Sequence, residues 1–141
     1  MTSAQGPLPQ GVYATATRHG NFIFTAGMTP REAGVLKFEG VVPADADPAK
    51  YRAAAELACR NALMAVEREL AEGEEIAAVL SMTVFIAARP GFALHSRIAD
   101  FASEFLRASL GERGVAARAA VGVASLPGDA PVEIQLVAVV R

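Results

Sequence analysis

Cysteine occurs once in this chain, at Cys59. A single thiol can form no intramolecular disulfide and no thiolate zinc cage, and a reducing compartment such as the cytoplasm fits best. Lysine is also scarce, with only Lys37 and Lys50 against 11 arginines, a bias to which no function is assigned. No apolar run reaches the ~18 residues a membrane span needs, because Arg and Glu interrupt every long stretch. Met1 to Gln10 has neither a basic cluster nor an apolar core and is not expected to be a signal peptide. There is no excess of positive charge: 13 basic side chains face 15 acidic ones, for a net charge of −2. This argues against a surface that tracks nucleic-acid phosphates. A glycine-rich phosphate loop, a Gly-x-Ser-x-Gly elbow and a His-Glu-x-x-His helix are all missing. His19 and His95 lie far apart with no partner at metal-ligand spacing, so both are read as surface side chains and no metal is expected.

What is present suits one globular domain spanning residues 1–141. The chain has 141 residues, 52% of them hydrophobic and 20% charged, enough apolar content for a core. So high an apolar fraction in a short chain raises the question of whether some of it meets partner subunits. Val12 to Thr17 and Phe22 to Ala26 read as two strands of a hairpin, turned at Arg18-His19-Gly20-Asn21. A short strand around Val35 to Phe38 follows the turn signal Glu32-Ala33-Gly34. Asp47-Pro48 supplies an N-cap and a proline at the first helical position, opening a helix to about Glu72. Its stripe is Tyr51, Ala54, Ala55, Ala58, Ala62, Val66 and Leu70. So much alanine lets the helix lie close to a sheet, and Cys59 on it is read as a small core residue rather than a reactive thiol.

Val79 to Ala87 is the next strand. A second helix covers roughly Ala93 to Leu110, with Leu94, Ile98, Phe101, Phe105 and Leu106 on its buried side. Arg118 to Ala124 and Val132 to Val140 complete the order β-β-β-α-β-α-β-β. Two helices against one mixed sheet give an α+β two-layer domain.

The last third holds two charges inside otherwise apolar strands, Arg118 and Glu133. Charges rarely occupy such positions unless paired or lining a cavity. If the two strands are neighbours, both side chains could face one pocket. A guanidinium there holds a carboxylate through two parallel hydrogen bonds, and a carboxylate there deprotonates a water. An Arg118–Glu133 ion pair that only fixes register, or two solvated edge charges, would explain the same residues.

The run Ala117 to Ile134 resembles the C-terminal signature of the RidA (YjgF) family, often labelled endoribonuclease L-PSP. Arg118, Leu126-Pro127 and Glu133-Ile134 match it in order and spacing. Tyr13, Gly20-Asn21 and Phe22 to Thr25 resemble the family's opening hairpin. Gly27, Asn61-Ala62-Leu63 and Thr83-Val84-Phe85 extend the likeness over nearly the whole chain. The resemblance implies a chorismate-mutase-like α+β fold, assembled as a homotrimer with a site in each cleft between subunits. It implies hydrolysis of reactive enamines and imines, such as 2-aminoacrylate, to 2-oxo acids and ammonia, with no cofactor. Arg118 would bind the substrate carboxylate, Glu133 would position the attacking water, and Tyr13, Gly27, Phe85 and Ala119 would border the substrate.

Several positions depart from the family pattern. Ala26-Gly27-Met28 stands where Ser-Gly-Gln is usual, Thr15 replaces a polar glutamine near Tyr13, Ala119 follows Arg118 where serine is common, and Ser96 stands where asparagine is frequent. About five extra residues precede Arg118, within Leu110 to Ala116. Met28 is read as lining the pocket or an interface. Tyr13 is read either as a pocket residue or as a packing residue of the hairpin. A small-ligand-binding or regulatory trimer without catalysis and an RNA-cleaving enzyme are the competing functions. The acidic balance, the lack of a basic stripe and the lack of a histidine pair argue against RNA, and without an apolar run of spanning length no membrane partner is expected.

Overall fold

The structure, a computed structural model, describes residues 6–141. Its strands are β1 (Ala16–His19), β2 (Phe22–Thr25), β3 (Arg31–Glu32), β4 (Val35–Leu36), β5 (Ile76–Ala87), β6 (Ala117–Val123) and β7 (Val132–Val140). Its helices are α1 (Arg52–Glu67) and α2 (His95–Leu110). The main sheet runs in the order β1-β2-β7-β5-β6. Only β5 and β6 run parallel, joined by α2, and the other neighbours are antiparallel. This is the expected α+β arrangement of a mixed sheet with two helices.

Period-two alternation decides which side chains enter the core. Ile23, Met82, Val84, Ile86, Val132, Ile134, Leu136 and Ala138 are buried beneath the helices. On α1, Ala54, Ala55, Ala58, Ala62, Ala65 and Val66 are buried, and their small side chains let the helix approach both β7 and α2. Cys59 lies at this helix–helix seam, with its thiol 3.6 Å from the Ala102 carbonyl. Burial pushes that thiol up to about 12, so it is un-ionised and packs as a small apolar group.

Several boundaries move for identifiable reasons. The first strand is Ala16–His19 rather than Val12 to Thr17. The two-residue Gly20-Asn21 turn carries the ladder right up to His19↔Phe22, so Arg18 belongs to the strand. Arg18 grips Glu74 through Nη1 at 2.6 Å and Nη2 at 2.8 Å, and the guanidinium, with help from the Ala71 amide, holds the Glu74 carboxyl down at about 2. Val12 and Tyr13 lie outside the sheet and are exposed. Asp47 does cap the Ala49 amide at 3.0 Å, but it opens a 3-10 turn, Pro48–Tyr51, ahead of α1. The helix ends at Glu67, because Glu69 and Leu70 bond three residues back, to Val66 and Glu67.

Ala33 and Gly34, both at positive φ, close a separate two-stranded hairpin of β3 and β4. The sequence predicts a single short strand here, around Val35 to Phe38. Strand β5 begins at Ile76, earlier than Val79, with register shifts between Ile76 and Ala78 and between Val79 and Ser81. On α2, Ile98, Ala99, Ala102 and Leu106 are buried. Phe101 and Phe105 are half-buried, whereas Leu94, expected inside, is exposed at the helix entrance. The extra residues before Arg118 form the Gly111–Gly114 turn.

Among the described residues, no helix covers the other face of the main sheet. Phe22 and Phe24 of β2 and Val121 of β6 stand exposed on it, beside half-buried Phe85, Val137 and Val139. No helix among the described residues is long and apolar enough to cross a membrane.

Candidate functional site

Glu133 is the second residue of β7, directly opposite Phe85 on β5. Its neighbours Val132 and Ile134 point into the core, so the alternation turns Glu133 to the uncovered face. Its carboxylate lies against Gly27, and a Cβ there would collide with Glu133 Oε2. Gly27 is therefore the residue that leaves room for the carboxylate. The Met28–Ile134 backbone pair, with both N–H···O bonds at 2.8 Å, fixes this loop against β7. Burial pushes the Glu133 carboxyl above its usual range, with no hydrogen bond offsetting it. An un-neutralised carboxylate in that state is a better base than a solvated one.

Phe85 and Val121, in register on β5 and β6, extend the same surface from Glu133. Ala119 pairs with Thr83 one step along it. Tyr13 is exposed, and its hydroxyl accepts a hydrogen bond from the Gln10 amide at 2.9 Å. With Gly27, Met28, Thr29, Arg31 and Asn61 it lines a recess of ≈ 60 Å³. Asn61 builds one wall by donating to the Thr29 and Arg31 carbonyls at 3.0 and 2.8 Å. Met28 is buried and lines this recess.

Arg118 is elsewhere. Strands β6 and β7 are not neighbours, because β5 lies between them. Arg118 pairs with Met82, a core residue, and so points to the helix side of the sheet. There Nη1 donates to Asp100 Oδ1 at 2.8 Å and to Ser103 Oγ at 3.0 Å, and Nη2 donates to Ser96 Oγ at 2.8 Å. The conditional expectation of a single pocket shared by Arg118 and Glu133 is thus corrected. Within one chain they occupy opposite faces, neither paired with each other nor converging. The register-fixing ion pair fails for the same reason.

Asp100, Ser96 and Ser103 are the residues that sequence reasoning missed as a group. They recur at steps of four and three, which places them on one face of α2, flanking its buried stripe on the side of Arg118.

His19 is exposed, as expected. His95 is half-buried, its ring edge-on to Phe92 at 5.1 Å between centroids and packed over Gly122. No group of three or more His, Cys, Asp or Glu side chains among the described residues could hold a metal ion.

Comparison with known proteins fits this geometry. The protein Atu1372 of Agrobacterium tumefaciens, of unknown function, superposes with a TM-score of 0.86 at 36% identity, over 95% of this chain and 86% of that one. The YjgF gene product of E. coli superposes with a TM-score of 0.66 at 25% identity, covering 97% and 94% of the two chains. Protein TCP17 of Trypanosoma cruzi is 28% identical over 127 residues, 89% of this chain and 79% of that protein. The family model described as endoribonuclease L-PSP matches residues 3–140. With the hairpin, the Gly27 turn and the Arg118 and Glu133 strands all inside that match, the chain belongs to the endoribonuclease L-PSP (YjgF) family.

Proposed function

We propose that this protein is a hydrolytic deaminase of small, carboxylate-bearing enamines and imines, active as a homotrimer with its sites between subunits. The observation that carries this reading is the half-buried Glu133 carboxylate, held over Gly27 on the open sheet face with its proton affinity raised by burial. A base of this kind activates water. The substrate carboxylate needs a cation, and Arg118 is the embedded arginine of the matching signature. Because Arg118 and Glu133 lie on opposite faces of one sheet, a second copy must bring its Glu133 to the first copy's Arg118. The bare apolar surface around Phe22, Phe24 and Val121 is suited to that association.

The chemistry asks little of the protein. Water adds to the iminium carbon as Glu133 takes one of its protons; Glu133 returns that proton to the nitrogen, and the tetrahedral adduct collapses to the 2-oxo acid as its hydroxyl proton leaves with the departing ammonia as ammonium. Holding the carboxylate turns the encounter with bound water into a positioned one, the effect that dominates well-oriented reactions.

The test is coupled release of pyruvate from serine by a dehydratase, with the oligomer followed by sedimentation. Arg118→Ala is expected to abolish the acceleration of imine hydrolysis while the trimer persists. Undiminished pyruvate release by the variant would remove Arg118 from the mechanism. A second expected outcome concerns Gly27→Ala. The obstructing atom is the end of a flexible side chain, so the fold should tolerate the methyl group. The displaced Glu133, however, should lose roughly 10²-fold in rate, as a 1 Å misplacement can. A melting curve beside the rate assay separates the two effects.

A ligand-binding trimer without catalysis is the second reading. It is favoured by the Ala26-Gly27-Met28 turn, which offers neither a hydroxyl nor a side-chain amide beside Glu133. Tight 2-oxo-acid binding with no turnover of any imine would establish it. RNA cleavage has less support, since no cationic stripe accompanies the net charge of −2 and His19 and His95 sit on separate elements.

A further inference from the structure

Asn61 offers a fixed acceptor to the recess beside Gly27. Its Nδ2 donates to the carbonyls of Thr29 and Arg31. Those bonds use both amide hydrogens and decide which end of the amide is oxygen. The residue is only 7% exposed, yet no donor among the described residues reaches its Oδ1. Nor is Oδ1 sealed in the core, since the one buried side-chain polar atom without a partner among those residues is Arg31 Nε. Oδ1 is therefore open to the recess that Asn61 lines.

Opposite charges line the same recess without pairing. Arg60, next to Asn61 on α1, and Glu32 on β3 are both exposed. Neither lies within ion-pair distance of the other, or of any other opposite charge among the described residues. Arg31, the remaining charged residue of the wall, is already engaged. Its Nη1 donates to the Gly34 carbonyl at 3.1 Å, and a Cβ on Gly128 would stand 3.0 Å from its Nη2. Tyr13 adds a donor, because its hydroxyl accepts from the Gln10 amide and keeps its own hydrogen. Met28 and Met64 supply apolar wall, and neither Glu133 nor Arg118 lines the recess.

We infer that this recess binds a small free α-amino acid as its zwitterion, at a site separate from the Glu133 carboxylate. Asn61 Oδ1 and Glu32 take the ammonium, and Arg60 and the Tyr13 hydroxyl take the carboxylate. A plain anion would meet the Asn61 oxygen and Glu32, and a plain amine would meet Arg60, so each is disfavoured. A volume of ≈ 60 Å³ admits several water-sized atoms, which limits the amino acid to a short side chain. The flexible methionines adapt to that side chain. Binding here goes beyond the proposed hydrolysis and does not rest on it.

The test is calorimetric titration of the full-length protein with L-alanine, with propionate, which lacks the ammonium, and with ethylamine, which lacks the carboxylate. Each is run on the wild type, Arg60→Ala, Glu32→Gln and Arg118→Ala, with sedimentation as the check on assembly. Arg60→Ala and Glu32→Gln should each weaken L-alanine by roughly 10- to 100-fold, the range of a charge-assisted hydrogen bond. The wild type should prefer L-alanine to either fragment by a similar factor. Both changed residues are exposed, so the fold should tolerate them. Arg118→Ala should bind L-alanine as the wild type does. No binding of L-alanine to the wild type overturns the site, as does propionate binding just as tightly. Affinity unmoved in both Arg60→Ala and Glu32→Gln overturns it too. Loss of L-alanine binding in Arg118→Ala alone would move the amino acid to the proposed clamp, overturning this site while leaving the hydrolytic reading in place.

Discussion

Glu133→Gln is expected to lower kcat for imine hydrolysis by about 10²–10⁴-fold, the usual contribution of a general base, with KM changed only a few-fold. The amide keeps the shape of the side chain beside Gly27, so the site stays filled and substrate still binds. What is lost is the ability to take a proton from water. Burial pushes the Glu133 carboxyl above its ordinary range, so the wild-type rate should fall on acidification through a value higher than that of a solvated glutamate. The variant's residual rate should be flat across that interval.

Linkage runs the other way for stability. A carboxyl with a raised folded-state value contributes stability below its unfolded value and loses it as pH rises through the folded value. Above its folded-state value the ionised, desolvated Glu133 is therefore a cost to the fold. Glu133→Gln should melt no lower than the wild type. A large drop in melting temperature accompanying the rate loss would mean that the residue is structural rather than catalytic.

Ile134→Ala is expected to destabilise the protein by about 2–5 kcal/mol, the range for deleting the branched end of a fully buried side chain. Ile134 has no exposed surface. It sits on β7 opposite Val84 of β5, with its backbone engaged by Met28 on the other side. A site so constrained can collapse little around the cavity. The urea midpoint should fall while the slope of the transition is unchanged. Because Ile134 adjoins Glu133 and fixes the Gly27–Met28 loop, activity should also drop below the melting temperature, through loosening of the carboxylate.

The alanine stripe of α1 was readable because burial at three- and four-residue steps is a local pattern. The Asp47-Pro48 start was readable for the same reason. Strand β3 was not, since two residues are too few to show alternation, and its partner β4 was read as an isolated strand. The charges at Arg118 and Glu133 stood out because apolar strands seldom contain them. Their relation did not, because the short Leu126–Asp129 connection suggests a hairpin while β5 in fact separates the two strands. That separation is set by pairing between segments some fifty residues apart, such as Val84 with Ile134, and no local signal records it. The polar face Ser96, Asp100 and Ser103 did have a signal, its four-and-three spacing. It is submerged because exposed polar residues are expected on any helix facing water.

The place of β7 in the sheet has a consequence for how the chain acquires its structure. The strand is late in the sequence yet lies centrally, with β2 on one side and β5 on the other. The pair Phe22↔Val139 closes nearly the whole chain into one loop, the kind of distant contact that slows folding. During synthesis the β1–β2 hairpin can form early, but its inner edge has no strand to pair with until β7 has left the ribosome. The apolar edges of β2 and β5 would stay unpaired over that interval, making nascent or truncated chains the form most prone to aggregate.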